Sequence, residues 1–157
     1  NYKSTGRPGA DGEDQGSVFW SHYGDEKNSA LYSFGYGLSY TEFGYSAIEL
    51  SDTEMTAEGS INASVLLTNK GKVEGKEVVQ LYLQDPYASA VRPVRELKGF
   101  ELVSLKPGES KRVSFTIDEK MLQFYSANNT WESEAGDFNI YIGTDSTTNR
   151  KANFILN

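Results

Sequence analysis

The sequence predicts an all-β protein built around an antiparallel β-sandwich. Apolar and polar residues alternate over stretches of four to eight residues from about residue 45 onward, and turn-forming pairs such as Pro107-Gly108 separate these stretches at short intervals. Alternation with a period of two is typical of a strand that buries one face, and Pro-Gly pairs are typical of tight turns. With 157 residues, the chain can hold one ordinary domain or a domain with a tail.

Seven stretches carry the strand pattern, and in the second of them Ile61, Ala63 and Val65 share one face. The predicted strands are residues 45–50, 60–69, 76–84, 97–103, 112–117, 138–142 and 153–156. Their number and spacing are typical of an immunoglobulin or fibronectin III-like antiparallel β-sandwich of about seven strands. The only helical candidate is residues 118–124, where Asp118 is a suitable N-cap.

Residues 1–44 are predicted to form an irregular N-terminal extension of the sandwich in residues 45–157. The extension is rich in Gly, Asp, Ser and Tyr and shows no sustained periodicity. An aromatic-rich segment without its own period usually packs against another domain. The candidates for this interdomain packing are Tyr32, Phe34, Tyr36 and Tyr40.

Composition argues against several classes of function. The net charge of −7 repels phosphate backbones and anionic lipid, so no nucleic-acid partner and no membrane partner is predicted. The chain has no Cys and a single histidine, His22, so no metal site and no cofactor is predicted. An EF-hand alignment that starts at Asp11 fails because His22 stands where Ca²⁺ needs a bidentate Glu.

Two kinds of catalytic residue have candidates in the sequence. Ser39 lies in a sequence similar to a nucleophile elbow, but Thr41 replaces the second Gly and no helix pattern follows. The 22 Asp and Glu residues are numerous enough to supply a glycosidase-type pair of carboxylates, but they are predicted to lie mainly in turns or on outward strand faces. No catalytic residue is therefore assigned.

Aromatic side chains leave a second interpretation open. Trp20, Tyr23 or Trp131 would serve as stacking surfaces if the chain were an autonomous carbohydrate-binding β-sandwich module. The region between the third and fourth predicted strands is long for a hairpin and carries Tyr87 and Arg92, so it is a candidate loop near a substrate or a partner.

The N-terminus gives no targeting signal. Residues 1–16 are polar, and the sequence does not begin with Met, which is typical of the interior of a longer polypeptide. The compartment stays open, with the periplasm or the cell exterior preferred over the cytoplasm.

Several motifs resemble the C-terminal part of glycoside hydrolase family 3, most closely its bacterial β-glucosidases. Residues 31–41 (LYSFGYGLSYT) are similar to the segment that joins the catalytic and C-terminal domains of that family. Motifs similar to its fibronectin III-like domain are residues 73–82, 92–100, 105–110 and 135–138, and residues 5–8 resemble the run upstream of the joining segment. The resemblance covers essentially the whole chain; one departure is Ser33, where the family usually has Pro.

The resemblance implies a non-catalytic role for this chain. In the family, the nucleophile is an Asp in a Ser-Asp-Trp-type motif of an N-terminal barrel, and the acid/base Glu lies in the following α/β sandwich domain. Here the only Ser-Asp is Ser51-Asp52, which lacks the Trp and lies in the predicted β-sandwich. The resemblance therefore implies a non-catalytic fragment of an enzyme that removes terminal β-D-glucosyl residues with retention.

In this hypothesis, residues 1–44 are the tail of the α/β sandwich domain with a linker, and residues 45–157 are the fibronectin III-like domain. The expected partners are the catalytic domains of the same polypeptide, and a β-linked oligosaccharide or glycoside would bind only through the whole enzyme. A self-contained hydrolase is the remaining alternative.

Overall fold

The computed structural model describes residues 30–157. Residues 35–157 form one compact unit, and residues 30–34 belong to a separate one. The elements of the described part, in chain order, are β1 (Phe43–Tyr45), β2 (Glu49–Leu50), β3 (Glu54–Met55), β4 (Ser60–Asn69), β5 (Gly75–Gln84), β6 (Glu96–Leu105), β7 (Ser110–Asp118), α1 (Glu119–Leu122), β8 (Phe124–Tyr125), β9 (Trp131–Glu132), β10 (Gly136–Gly143) and β11 (Lys151–Leu156).

The first sheet is built around β4. Strand β7 pairs with one edge of β4, and β1 and β2 pair with its other edge, all antiparallel. The predicted strand at 45–50 is thus two short strands, because the hydroxyl of Ser46 replaces a backbone carbonyl and accepts a hydrogen bond from the Leu66 N–H at 2.9 Å.

The second sheet has the order β3-β11-β10-β5-β6. Its pairs are antiparallel except for β3 and β11, which run parallel. The two sheets confirm the predicted β-sandwich, and six of the seven predicted strands are single strands at nearly the predicted positions. Strands β3, β8 and β9 have two residues each, which is too short to leave a periodic pattern.

The core lies between the two sheets and consists of the inward side chains of the long strands. These include Ile61, Ala63, Val65, Leu67, Val79, Leu81, Val103, Leu105, Val113, Ile117, Ile140, Ile142 and Phe154, all almost fully buried. The rings of Phe138 and Phe154 stack with their centroids 5.5 Å apart. Helix α1 confirms the helical prediction in shortened form, and Asp118 caps it by accepting a hydrogen bond from the Met121 N–H at 3.2 Å.

One face of the second sheet departs from simple alternation. Gln80 and Tyr82 of β5 point away from the core, yet both are buried. The backbone at Gly35 and Thr144 lies over this part of the sheet, and Gln80 Nε2 donates to both of its carbonyls. Nearby, the Arg95 guanidinium lies 3.7 Å from the centre of the Tyr141 ring. No helix in the described part has the length and apolar character needed to cross a bilayer.

Candidate functional site

The segment that enters the sandwich, residues 35–41 (the linker), contacts it through small residues. The Gly35 carbonyl accepts from Gln80 Nε2 at 2.9 Å. Gly35 has a φ of +82°, and a Cβ there would lie 2.1 Å from Gln80 Oε1, so both conformation and space require glycine. At the other end of the linker, Thr41 lies against Gly71 and Gly75.

Thr41 is held by a buried asparagine at the end of β4. Its hydroxyl donates to Asn69 Oδ1 at 2.7 Å, and the Gly71 N–H donates to the same oxygen at 3.0 Å. Asn69 Nδ2 donates to the carbonyls of Val73 and Leu105 at 2.8 and 2.9 Å. The linker is therefore tied to both sheets through one side chain whose donors and acceptors are all used.

The intervening linker residues Tyr36, Leu38 and Tyr40 are exposed. They occupy every second position, while Gly35, Ser39 and Thr41 approach the sandwich, so the linker presents one apolar side outward. Of the other two predicted packing residues, Tyr32 and Phe34 belong to the separate unit and are likewise exposed.

Arg92 lies at the base of the loop between β5 and β6, not at its tip. Its guanidinium lies 3.1 Å from carboxylate oxygens of both Asp85 and Glu96, and it donates to the Leu122 carbonyl at 3.3 Å. The guanidinium also lies 5.2 Å from the centre of the Phe124 ring. Burial by itself would raise the pKa of Glu96, but Lys98 and Arg92 outweigh it and hold that pKa below its ordinary value.

A second anchor fixes the same loop. The backbone N–H and the hydroxyl of Ser89 both donate to the Glu134 carboxylate, and these bonds lower the pKa of Glu134. Tyr87, the other predicted residue of this loop, exposes 82% of its surface, and Val91 is fully exposed. The loop is thus held at two points, while Tyr87 and Val91 are exposed.

The aromatic residues of the carbohydrate-binding alternative divide between described and undescribed parts. Tyr125 and Trp131 stand opposite each other on the hairpin β8–β9 and are exposed. Their ring centroids are 5.8 Å apart with planes inclined at 66°, so the pair does not form one flat stacking surface. Trp20 and Tyr23, like His22, lie outside the described residues.

Several carboxylates in the described part form ion pairs with cations. Besides the Arg92 pairs, Lys111 Nζ lies 2.9 Å from Glu101 Oε1, and Arg112 Nη1 lies 2.6 Å from Glu49 Oε2. Among residues 30–157, no group of three His, Asp or Glu side chains could hold a metal ion.

Sequence reasoning missed one surface. Val78, Phe100 and Leu102 are exposed on the outward side of β5 and β6. The signal was present, because residues 97–105 carry apolar side chains at both odd and even positions, whereas a strand with one solvated face carries polar ones at alternate positions.

Comparisons with known proteins agree with this architecture. The model of the fibronectin type III-like domain matches residues 77–146. A periplasmic β-glucosidase of Salmonella typhimurium is 47% identical over 156 residues, which are 99% of this chain and 20% of that protein.

Solved structures give the same result. The β-glucosidase from Listeria innocua in complex with glucose is similar with a TM-score of 0.85 at 38% identity, covering 99% of this chain and 22% of that one. The family 3 β-glucosidase of Bifidobacterium adolescentis is similar with a TM-score of 0.73 at 35% identity, covering 80% of this chain and 18% of that one.

The fold and the matched domain define the chain as a fibronectin type III-like β-sandwich module. It belongs to glycoside hydrolase family 3, in whose β-glucosidases this region is the C-terminal part. The chain spans about a fifth of the length of the relatives that it matches.

Proposed function

We propose that this chain is a scaffolding module that docks on the catalytic domains of a longer family 3 enzyme. The longer enzyme would remove terminal β-D-glucosyl residues with retention, and bond cleavage would belong wholly to its other domains. We assign residues 1–44 to the tail of the α/β sandwich domain and the linker, and residues 45–157 to the module.

The proposal rests on the linker, because one of its sides is bonded to the sandwich and the other is exposed. Gly35 and Thr41 are bonded to the sandwich, which fixes the path of the chain, and Leu38 and Tyr40 between them are exposed. Burying these side chains against a neighbouring domain would stabilise the docked state by about 25 cal/mol for each Å² of apolar surface removed from water. The path is already ordered, so little conformational entropy is lost on docking.

The proposal is tested with the complete polypeptide that contains this chain. The double variant Leu38→Ser/Tyr40→Ser is expected to lower its melting temperature by about 3 °C or more, because the docked interface loses apolar area. The same double variant in the 157-residue chain is expected to leave the melting temperature unchanged, because both side chains are exposed there.

The matched control is Leu66→Ser, which removes a half-exposed leucine from the outer side of the first sheet. An equal, small effect of the two variants in the complete polypeptide would count against docking through the linker.

A further inference from the structure

The outward side of strands β5 and β6 carries a contiguous apolar surface. The strand register places Val78 directly beside Leu102, and Phe100 beside Gln80. Val78, Phe100 and Leu102 expose 40%, 69% and 59% of their surface. We call these three residues the β5–β6 patch. Because cross-strand neighbours lie about 5 Å apart, their side chains form one surface and are not scattered.

The first sheet shows what a solvated outer face looks like in the same molecule. There, Thr116 donates to Asn62 at 2.7 Å, and Arg112 donates to Ser64 at 3.0 Å. Thr68 and Ser110 share a third bond at 2.7 Å. These polar cross-strand pairs are typical of a face that stays in water, and the β5–β6 patch departs from them with three large apolar side chains.

Charged and polar residues border the patch, as they do at protein–protein interfaces. At one end, Lys76 lies beside Ser104, and the Ser104 hydroxyl donates to Glu74 Oε1 at 3.1 Å. Toward the other end of β6, Lys98 pairs with Glu96. An apolar centre with charged residues at its margins is the usual composition of a protein–protein contact.

The path of the linker indicates which partner reaches this surface. Gly35 is bonded to Gln80, and Ser39 and Thr41 approach Gly75, so the linker runs along the half of β5 that contains Val78. The polypeptide that continues from Gly35 toward the N-terminus therefore leaves the sandwich beside Gln80, whose neighbour across the strands is Phe100. A domain attached there is held near the patch at a high effective concentration.

We propose that the β5–β6 patch is a docking surface for the catalytic region of the same polypeptide. This inference rests on the proposed function and adds to it a second contact, made by the sheet and not by the linker. A tethered domain is favoured over a second copy of the chain, because three side chains fall well short of the roughly 800 Å² per partner that separate proteins bury. A sugar is disfavoured because the centre of the patch offers no polar side chain except Gln80, which is already bonded.

The test compares the double variant Phe100→Ser/Leu102→Ser in the complete polypeptide and in the 157-residue chain. In the complete polypeptide, the melting temperature is expected to fall by about 3 °C or more. In the 157-residue chain it is expected to stay within about 1 °C of the parent, because the changes lie on an exposed surface. Leu66→Ser, on the polar outer face, is the matched control and is expected to have the same small effect in both.

The outcomes separate this inference from the proposed function. If the patch variant affects both proteins equally while Leu38→Ser/Tyr40→Ser lowers only the stability of the complete polypeptide, the patch is not a docking surface and the linker contact stands. If neither double variant distinguishes the two proteins, both proposals are wrong. A concentration-dependent dimer of the 157-residue chain in sedimentation, abolished by the patch variant, would show that a second copy is the partner and would overturn the inference.

Discussion

At the scale of single residues, the Asn69 side chain connects the linker, the first sheet and the second sheet. From the sequence, Asn69 was placed only at the end of the predicted strand 60–69, because a strand is recognised from the alternation of its immediate neighbours. Its hydrogen-bond partners include Thr41 and Leu105, which lie 28 and 36 positions away. Such distant partners leave no local pattern, so this role could not be predicted from the sequence.

Asn69→Asp is expected to destabilise the 157-residue chain by about 3 kcal/mol at pH 7, since an ionised carboxylate cannot donate to the Val73 and Leu105 carbonyls. The loss should shrink at acid pH, where a protonated Asp regains one donor. Urea unfolding at pH 7 and pH 4.5 measures both effects. Asn128→Asp, at an exposed turn, is the control for the same chemical change, and a loss as small as that of the control would contradict the role of Asn69.

Glu77 gives a second prediction at this scale. Its side chain is half-buried between the sheets, and burial raises the pKa of Glu77, while the hydrogen bond from the Tyr45 hydroxyl at 2.8 Å partly offsets the rise. A raised folded-state pKa means that the contribution of Glu77 to stability is present below its unfolded pKa and is lost as the pH rises through the folded one.

Glu77→Gln removes this titration and keeps an acceptor for Tyr45. The variant is therefore expected to gain stability relative to the parent as the pH rises from 4.5 to 7.5, as measured by urea midpoints. Glu58→Gln, at an exposed position, is the control for the change of charge. A difference between Glu77→Gln and the parent that stays constant over this range would show that Glu77 does not titrate abnormally.

At the scale of elements, the long strands were predictable, but the contacts that bury their outward side chains and the connecting loop were not. Alternation in residues 60–69 specifies which face of β4 is buried, and the structure agrees. In β5, the alternation continues through Gln80 and Tyr82, but both are buried because the Gly35 and Thr144 carbonyls reach Gln80 from other parts of the chain. The length of the loop between β5 and β6 was evident from the sequence. The burial of Arg92 was not, because it depends on Leu122 and Phe124, about 30 positions later.

The loop is expected to depend on Arg92 for its shape. Arg92→Ala should destabilise the 157-residue chain by about 3 to 5 kcal/mol, because the Asp85 carboxylate would stay buried without its cation. Arg92→Lys should recover only part of the loss, since one ammonium group cannot reach both carboxylates and the Leu122 carbonyl.

The control is Arg112→Ala, because Arg112 pairs with Glu49 on an exposed face and its loss should cost less than about 1 kcal/mol. Urea unfolding of the three variants is the measurement. A cost of Arg92→Ala similar to that of Arg112→Ala would show that the ion pairs do not hold the loop.

At the scale of the whole molecule, fold and family were predictable because strand alternation, turn pairs and several long motifs agreed. The apolar surface formed by Val78, Phe100 and Leu102 was not predicted: residues 97–105 indicate that β6 has an apolar outward side, but only the strand pairing places Val78 beside it. Alternation reports only that a strand has two sides, and the register decides whether apolar side chains on the outward side meet.

The 157-residue chain by itself is expected neither to cleave nor to bind β-linked oligosaccharides. Added cello-oligosaccharides should leave its Trp fluorescence unchanged, because the inclined rings of Tyr125 and Trp131 offer no flat platform, and no glucose should be released. A saturable fluorescence change would support the carbohydrate-binding alternative. Release of glucose above that of a heat-denatured sample would show that the chain is itself a hydrolase.

The parallel pair of β3 and β11 has a consequence for how the sandwich assembles. Asn157 Nδ2 donates to Glu54 Oε2 across 103 positions, and the Ile155 N–H donates to the Thr53 carbonyl in the same region. Closing so large a loop costs entropy before any contact compensates for it, so we expect this pair to form after the local hairpins. Substitutions that weaken the pair are therefore expected to speed the unfolding of the module more than they slow its folding.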